Sequence, residues 1–337
     1  MKKKILVFLS LCLCLGTVAP MDVTAKKKVT KTADITISAV GDCALGGETK
    51  YPTGFHDKYN KNGASYFLKN VKPVFEKDDV TIVNLECVLT SETKRADKKY
   101  CYKGPQKYAE ILKKGSVEIC NFANNHNADY GEKSFKDTKA ALKKQKIAYS
   151  VGDAIAYAKK NGVVVAFVGF YSSTGISTDY VKKIIEKAKK KSDVLVVTYH
   201  WGQMYQYYPN DRQKMLGKLA IDNGADLVLG HHAHIIQGIE KYKGKYIVYG
   251  LGDFCYGGGN PDDKDTMIFQ QTFHVKNGKL QADLDANIVP CSISGSKTKN
   301  DYQPRILKGD EKKNLIAKVN KISKGMNITV DEDGKIK

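Results

Sequence analysis

Apolar runs recur along this chain, and most of them end in polar, chemically capable residues. Residues 35–40 end in Gly41-Asp42, residues 80–83 in Asn84-Leu85-Glu86, and residues 117–122 run into Asn124-Asn125-His126. The runs at 163–168, 194–198, 227–229 and 246–249 lead into Gly169, Tyr199-His200-Trp201-Gly202, Gly230-His231-His232-Ala233-His234 and Gly250-Leu251-Gly252-Asp253. Their length and β-branched content predict buried strands. Helices are predicted between several of them, at 108–114, 134–144, 180–190 and 212–223. In the third, Val181, Ile184, Ile185 and Ala188 have the spacing of one helical face. Strand alternating with helix predicts an α/β fold. The runs at 267–275 and 280–288 follow each other without a helix and predict antiparallel strands. The tail from 293 is polar, with one helical stretch at 311–322. No repeat is evident, and the pattern suits one domain of catalytic size.

Ligands of open α/β sheets collect beyond the carboxyl ends of the strands. Here those ends carry Asp42, Glu86, Asn125, His126, His200, His232 and His234. Taken singly, each has an ordinary explanation: an aspartate after a strand caps a turn, and a histidine can be a satisfied core residue. Five successive elements delivering metal-ligand residue types at one end is harder to explain that way. A mixed carboxylate, amide and imidazole set suits Mn²⁺, Zn²⁺ or Fe²⁺, and often a pair of ions. Asp42, Glu86, Asn125, His200, His232 and His234 are the candidate ligands, with His231 and Asp253 as possible additions. His126 is the candidate general acid.

Composition adds a compartment and a partner class. Lys2-Lys3-Lys4 precedes an apolar stretch at 5–16 and a small-residue segment at Val23-Thr24-Ala25. That is the pattern of a signal peptide over 1–25, followed by a basic leader at 26–33. The protein is therefore expected to be exported, either free or held at the cell surface. The net charge of +19 becomes +17 without the three Lys and one Asp of residues 1–25. Such a surface suits anionic partners, with a solvated lysine coat as the plainer reading. Nucleic acid is not expected, because no recognition motif is present. Cys43, Cys87, Cys101, Cys120, Cys255 and Cys291 follow the signal segment. Cys87 with Cys101 is the first pair to test for a disulfide, although small buried thiols are the commoner state. Arg95 and Lys103, in the Lys-rich loop after Glu86, are candidate contacts for carboxylate or phosphate. Trp201, with Tyr205, Tyr207 and Tyr208, is a candidate wall of the cleft or a core anchor. No G-x-x-x-x-G-K-[ST] or G-x-S-x-G motif occurs, so neither an ATP-driven ligase nor a serine hydrolase elbow is indicated.

Taken in order, Gly41-Asp42, Asn84-Leu85-Glu86, Ala123-Asn124-Asn125-His126 with Asp129-Tyr130-Gly131, His200-Trp201-Gly202, Gly230-His231-His232-x-His234 and Leu251-Gly252-x-Phe254 resemble the CapA family of poly-γ-glutamate capsule synthesis proteins. The resemblance spans 34–292, leaving 293–337 as a polar C-terminal extension. That family is similar to the calcineurin-like metallophosphatases. The resemblance therefore implies a four-layer α/β/β/α sandwich of the metallophosphatase-like type with a two-metal site. It further implies a poly-γ-glutamate or wall-polymer substrate and membrane partners in a synthesis complex. Two roles stay open: a metal-dependent hydrolase or transferase, which the strand-end ligand set favours, or a non-catalytic subunit that binds the polymer, which the basic surface, the signal segment and the absence of an ATP-site motif favour. Four positions depart from the family pattern: Met204 stands where a Glu is usual, Ala233 where a Pro is usual, and Gly250 and Asp253 where Ser and Asn are usual. The first puts a polar role near His200 in doubt, and Asp253 adds a carboxylate near the proposed site.

Overall fold

The computed structural model describes residues 32–50, 53–282 and 285–337. The expected signal segment at 1–25 and nearly all of the basic leader lie outside the described residues. Among the described residues, no helix is long and apolar enough to cross a membrane.

Two sheets face each other. The first runs, edge to edge, through Arg305–Ile306, Asp285–Ser292, Asp265–Lys276, Ala33–Ala44, Val80–Leu85, Ile119–Asn121 and Ala148–Ser150. Its Ala33–Ala44, Val80–Leu85, Ile119–Asn121 and Ala148–Ser150 strands are parallel, whereas Asp265–Lys276 runs antiparallel to Ala33–Ala44. The second sheet runs through Ile239–Tyr242, Lys245–Val248, Leu227–His231, Val194–His200, Val163–Tyr171 and Ala156–Lys160, and its central strands are parallel.

Alternation of side chains along each strand builds the layers. Ile35, Ile37, Val80 and Ile82 meet Val163, Val165, Val194, Val196, Leu227 and Leu229 between the sheets. The opposite faces of the same strands carry Val40, Val83 and Leu85, which pack under the helices Ala109–Lys114 and Gly131–Lys144. On the other side, Val168, Val197 and Val228 pack under Thr178–Lys189 and Asp211–Asp222. The result is a four-layer α/β/β/α sandwich.

The helix Thr178–Lys189 buries Val181, Ile184, Ile185 and Ala188, the face that the spacing predicts. Asn210 and Gln213 form a reciprocal capping box at the start of Asp211–Asp222. The polar tail is not an appendage. Its helix Gly309–Ile322 buries Leu315, Ile316, Val319 and Ile322 against the inter-sheet core, and the described residues form one compact unit. The strand expected at 280–288 is instead Asp285–Ser292, preceded by the short Lys279–Leu280. All six cysteines from Cys43 onward are buried and free, so Cys87 and Cys101 are not bridged. The Cys87 thiol faces the Leu45 carbonyl and that of Cys101 faces the Ala96 carbonyl.

Candidate metal centre

The parallel strands of both sheets end on the same side, and their ends meet. Asp42 sits near the end of Ala33–Ala44, with its backbone N–H donating to the Gly252 carbonyl at 2.9 Å. This crossing demands Gly41, because a Cβ there would lie 1.8 Å from the Gly252 oxygen. Glu86 follows Val80–Leu85, and its N–H bonds the Cys43 carbonyl at 2.9 Å. His200 and His231 end their strands. Gly230 is likewise forced, since a Cβ would meet the Tyr249 oxygen at 2.0 Å. His232 and His234 have φ of 90° and 57°, a left-handed backbone unusual for non-glycine residues. The His232 N–H donates to Asp42 Oδ2 at 3.2 Å, which helps hold that turn. Strain of this kind concentrates at functional sites.

Six ligand-type side chains converge in two groups. The ligating atoms of Glu86, His200 and His232 lie within 4.8 Å of one another, as do those of Asp42, His234 and Asp253. Glu86 links the groups: Oε1 lies 3.3 Å from His200 Nε2 and Oε2 lies 4.0 Å from His234 Nδ1. Both Glu86 oxygens are buried and lack a hydrogen-bond partner, as do both ring nitrogens of His231 and Nδ1 of His232. A buried carboxylate is costly unless something compensates its charge. Carboxylate and imidazole donors are the set that divalent transition metals favour. The residues present therefore fit a metal centre.

Electrostatics divide the site. Burial pushes Asp42 up, but His231, His234 and His200 outweigh it and hold the carboxyl well below the usual range. Burial and the neighbouring Asp42 drive Glu86 well above its usual range. Burial lifts Asp253 to about 6, against the pull of His234. His200 is driven down by burial and by His232, and His232 falls to about 4 through burial and His234. Both are thereby kept in the neutral form that ligates. Burial also acts against a charged His234, but Asp253, Glu86 and Asp42 outweigh it and raise that imidazole.

His126 stands beside this cluster. Its Nδ1 lies 2.6 Å from Asp129 Oδ2, and its Nε2 lies 4.0 Å from Glu86 Oε1. Asn125 Oδ1 is 2.6 Å from His200 Nε2. His231 Nδ1 lies 3.2 Å from Asp42 Oδ1, behind the cluster, without hydrogen-bond geometry. A cleft of about 520 Å³ opens over the site, walled by Lys98, Tyr102, Asn125, His126, His234 and Asp253 among others.

Three expected contact residues do not reach that cleft. The Arg95 guanidinium is bonded to Glu48 at 2.7 Å. The Lys103 ammonium bonds the Glu92 carbonyl and lies 4.5 Å from the Tyr130 ring centroid. Trp201 is 1% exposed, stacked on Tyr199 at 4.5 Å, with Nε1 donating to the Tyr249 carbonyl at 2.9 Å. It is the core anchor rather than the cleft wall. Lys98, from the same loop as Arg95, is the residue that arrives: its ammonium bonds the Asn125 carbonyl at 2.6 Å and pairs with Asp129. Asn84, which the apolar runs place at a strand end but which was not among the candidate site residues, also belongs here. Its amide donates to Asp42 Oδ1 at 2.8 Å and accepts from Asn121 at 2.8 Å.

Residues 36–257 match the family model described as "Bacterial capsule synthesis protein PGA_cap". The chain is 33% identical over 277 residues to the PGA biosynthesis protein CapA of Bacillus subtilis, covering 75% of this chain and 71% of that one. It is 31% identical over 307 residues to the capsule biosynthesis protein CapA of Bacillus anthracis, covering 82% and 72%. Among solved structures, a hypothetical protein from Thermus thermophilus is similar at 13% identity and a TM-score of 0.48, over 76% of this chain and 99% of that one. That last likeness is too slight to bear on the site. With its strand-end residues arranged as above and the match running from the first strand past the metal-type cluster, this chain belongs to the PGA_cap family of bacterial capsule synthesis proteins.

Proposed function

We propose that this protein is an exported metal-dependent hydrolase or transferase acting on an anionic cell-surface polymer, with a γ-glutamyl chain as the first candidate. One observation carries the metal reading: a fully buried Glu86 carboxylate without hydrogen bonds, set between two groups of imidazole and carboxylate donors. The names of the two Bacillus relatives, PGA biosynthesis and capsule biosynthesis proteins, support the choice of polymer. The Lys2–Lys4 start and the apolar stretch after it support export.

Glu86, His200 and His232 would hold one ion, and Asp42, His234 and Asp253 the other. A pair of divalent ions supplies Lewis-acid polarisation of a carbonyl or phosphoryl oxygen. The chain's own residues do the rest. Asp129 takes the His126 Nδ1 proton in a hydrogen bond and so fixes the ring, leaving Nε2 to move a proton to a leaving group. Lys98 bonds the Asn125 carbonyl and Asp129, and so sets the position of the Asn125-His126 turn.

The test is metal content by inductively coupled plasma mass spectrometry, run on the exported protein and on the Asp42→Ala/His234→Ala double variant. About two divalent ions per chain, lost in the variant, is the expected result. A well-folded wild type that takes up no metal when dialysed against Mn²⁺, Zn²⁺ or Fe²⁺ would overturn the reading. Cleavage or transfer of γ-glutamyl polymer by the loaded protein is the second readout.

A further inference from the structure

The cleft over the metal-type cluster does not stop at His234. A second cavity of about 500 Å³ adjoins it, and the two share Tyr205, His234, Asn260 and Pro261 as walls. From those shared residues the first lobe extends towards Lys98, Lys99 and Tyr100, and the second towards Tyr207, Asp262 and Asp263.

The lobes differ in chemistry. Lys99 gives the first a positive lip, its ammonium 5.0 Å from the Tyr100 ring centroid, whereas the Lys98 charge is already paired with Asp129. In the second, the Asp263 carboxylate is engaged by Lys318 at 2.7 Å and by the Tyr207 hydroxyl at 2.9 Å. Beside the shared walls, the second lobe presents Tyr207 and Ile235, with Asp262 exposed. Tyr205, 62% exposed and with φ of 61°, stands where the lobes meet, its ring centroid 6.1 Å from that of His234.

A site that reads a chain end is closed on one side of its reactive groups. This one continues past them. Resting on the polymer reading above, we propose that the two lobes form one through-groove that takes an internal stretch of an extended γ-glutamyl chain. The chain lies across His234 and Tyr205, and engagement requires neither terminus. The lysine lobe takes side-chain carboxylates, and the second lobe takes the amide and methylene backbone against flat rings.

The test is binding of defined γ-glutamyl oligomers to the metal-loaded full chain, by calorimetry. A dimer is compared with a chain several times longer, each with free termini and with N-acetyl and C-amide termini. The groove predicts tighter binding of the longer chain and blocked ligands that match free ones to within about twofold. Asp262→Asn should tighten the longer chain about twofold to fivefold at low salt and leave the dimer unchanged, because only the longer chain reaches that residue. Tyr205→Ala should weaken the longer chain about threefold to tenfold. Oligomers that bind only with a free terminus would overturn the groove while leaving the polymer reading intact. If no γ-glutamyl oligomer binds the loaded protein, both fall.

Discussion

The Asn84 side chain donates to Asp42 Oδ1 at 2.8 Å, from a buried position beneath both groups of ligand-type residues. Its carbonyl oxygen accepts from Asn121 at 2.8 Å and from Asn124 at 3.3 Å. One amide thus ties three strand ends together and aims a carboxylate it does not itself replace. Outer hydrogen bonds of this kind typically carry about 10–100-fold of metal affinity. Asn84→Ala is therefore expected to weaken divalent-metal binding by about that factor. It should also cost roughly 1–3 kcal/mol of stability, because Asn121 loses its partner and Asp42 loses a donor. Competition against a chromogenic chelator, on protein shown to be folded by circular dichroism, reads the first effect. Affinity unchanged within about twofold would mean that Asn84 only packs.

Glu86 yields a prediction whose sign reverses with metal. Without an ion, its carboxylate is buried beside Asp42 and has no hydrogen-bond donor. Glu86→Gln keeps the shape and removes the ionisable group, so folding no longer has to protonate an acid that the unfolded chain leaves charged. The metal-free variant is expected to melt above the metal-free wild type, with a gain on the order of 1 kcal/mol. Saturating divalent metal should then stabilise the wild type by about 2.7 kcal/mol at a hundredfold excess over Kd, and the variant by much less. Paired thermal melts with chelator and with metal decide it. A variant that melts lower under both conditions would show that the carboxylate serves the apo fold.

Much of this arrangement was legible in the chain before any coordinates. Asp42, Glu86, His200, His232 and His234 each follow an apolar run, and parallel strands bring such ends together as a matter of topology. The layers were legible for the same reason, since Val181, Ile184, Ile185 and Ala188 mark the helical face that sheathes the second sheet. Two kinds of residue were not. Asn84 follows the apolar run at 80–83, but a neutral amide within the Val80–Leu85 strand does not show from sequence that it will orient Asp42. Lys98 could not be told from Arg95, because the choice depends on a small sheet of Gly47–Glu48, Tyr102–Gly104 and Val88–Leu89 that folds the loop back. The short edge strands Ala148–Ser150 and Ala156–Lys160 carry too few apolar residues to declare themselves.

Trp201 shows how an aromatic beside a site misleads. Its ring is stacked on Tyr199 at an interplanar angle of 5°, and its N–H satisfies the Tyr249 carbonyl. Trp201→Phe keeps an aromatic ring in the stack and removes the donor, which should cost about 1–3 kcal/mol in a chemical-denaturation curve. Metal and oligomer affinities of the folded variant should not change. A selective loss of ligand binding at unchanged stability would return Trp201 to the cleft.

Asp78 gives a pH dependence remote from the ligand-type cluster. It precedes the Val80–Leu85 strand, is only partly exposed, and accepts from the Thr81 hydroxyl at 2.7 Å. Burial lifts its carboxyl to about 7, against the hydrogen bonds of Ser38 and Thr81, with Glu118 and Asp79 adding to the rise. An unfolded aspartate titrates at about 3.9. Between those two values the folded chain binds more protons than the unfolded chain, so this group's contribution to stability falls as pH rises. The loss begins above about pH 4 and is complete a little above pH 7. Asp78→Asn removes the charge and retains a carbonyl that can accept from Thr81. The variant should match the metal-free wild type near pH 4 and become progressively more stable than it up to about pH 7. Beyond that the advantage should hold constant, at about 1–2 kcal/mol after allowing for screening by water. Glu118 is also raised, by burial first, but it titrates in both proteins and largely cancels in their difference. Denaturation curves of both proteins at intervals from pH 4 to pH 8.5 provide the comparison. A difference that is flat across that range, or that shrinks as pH rises, would mean that Asp78 is not the buried acid responsible.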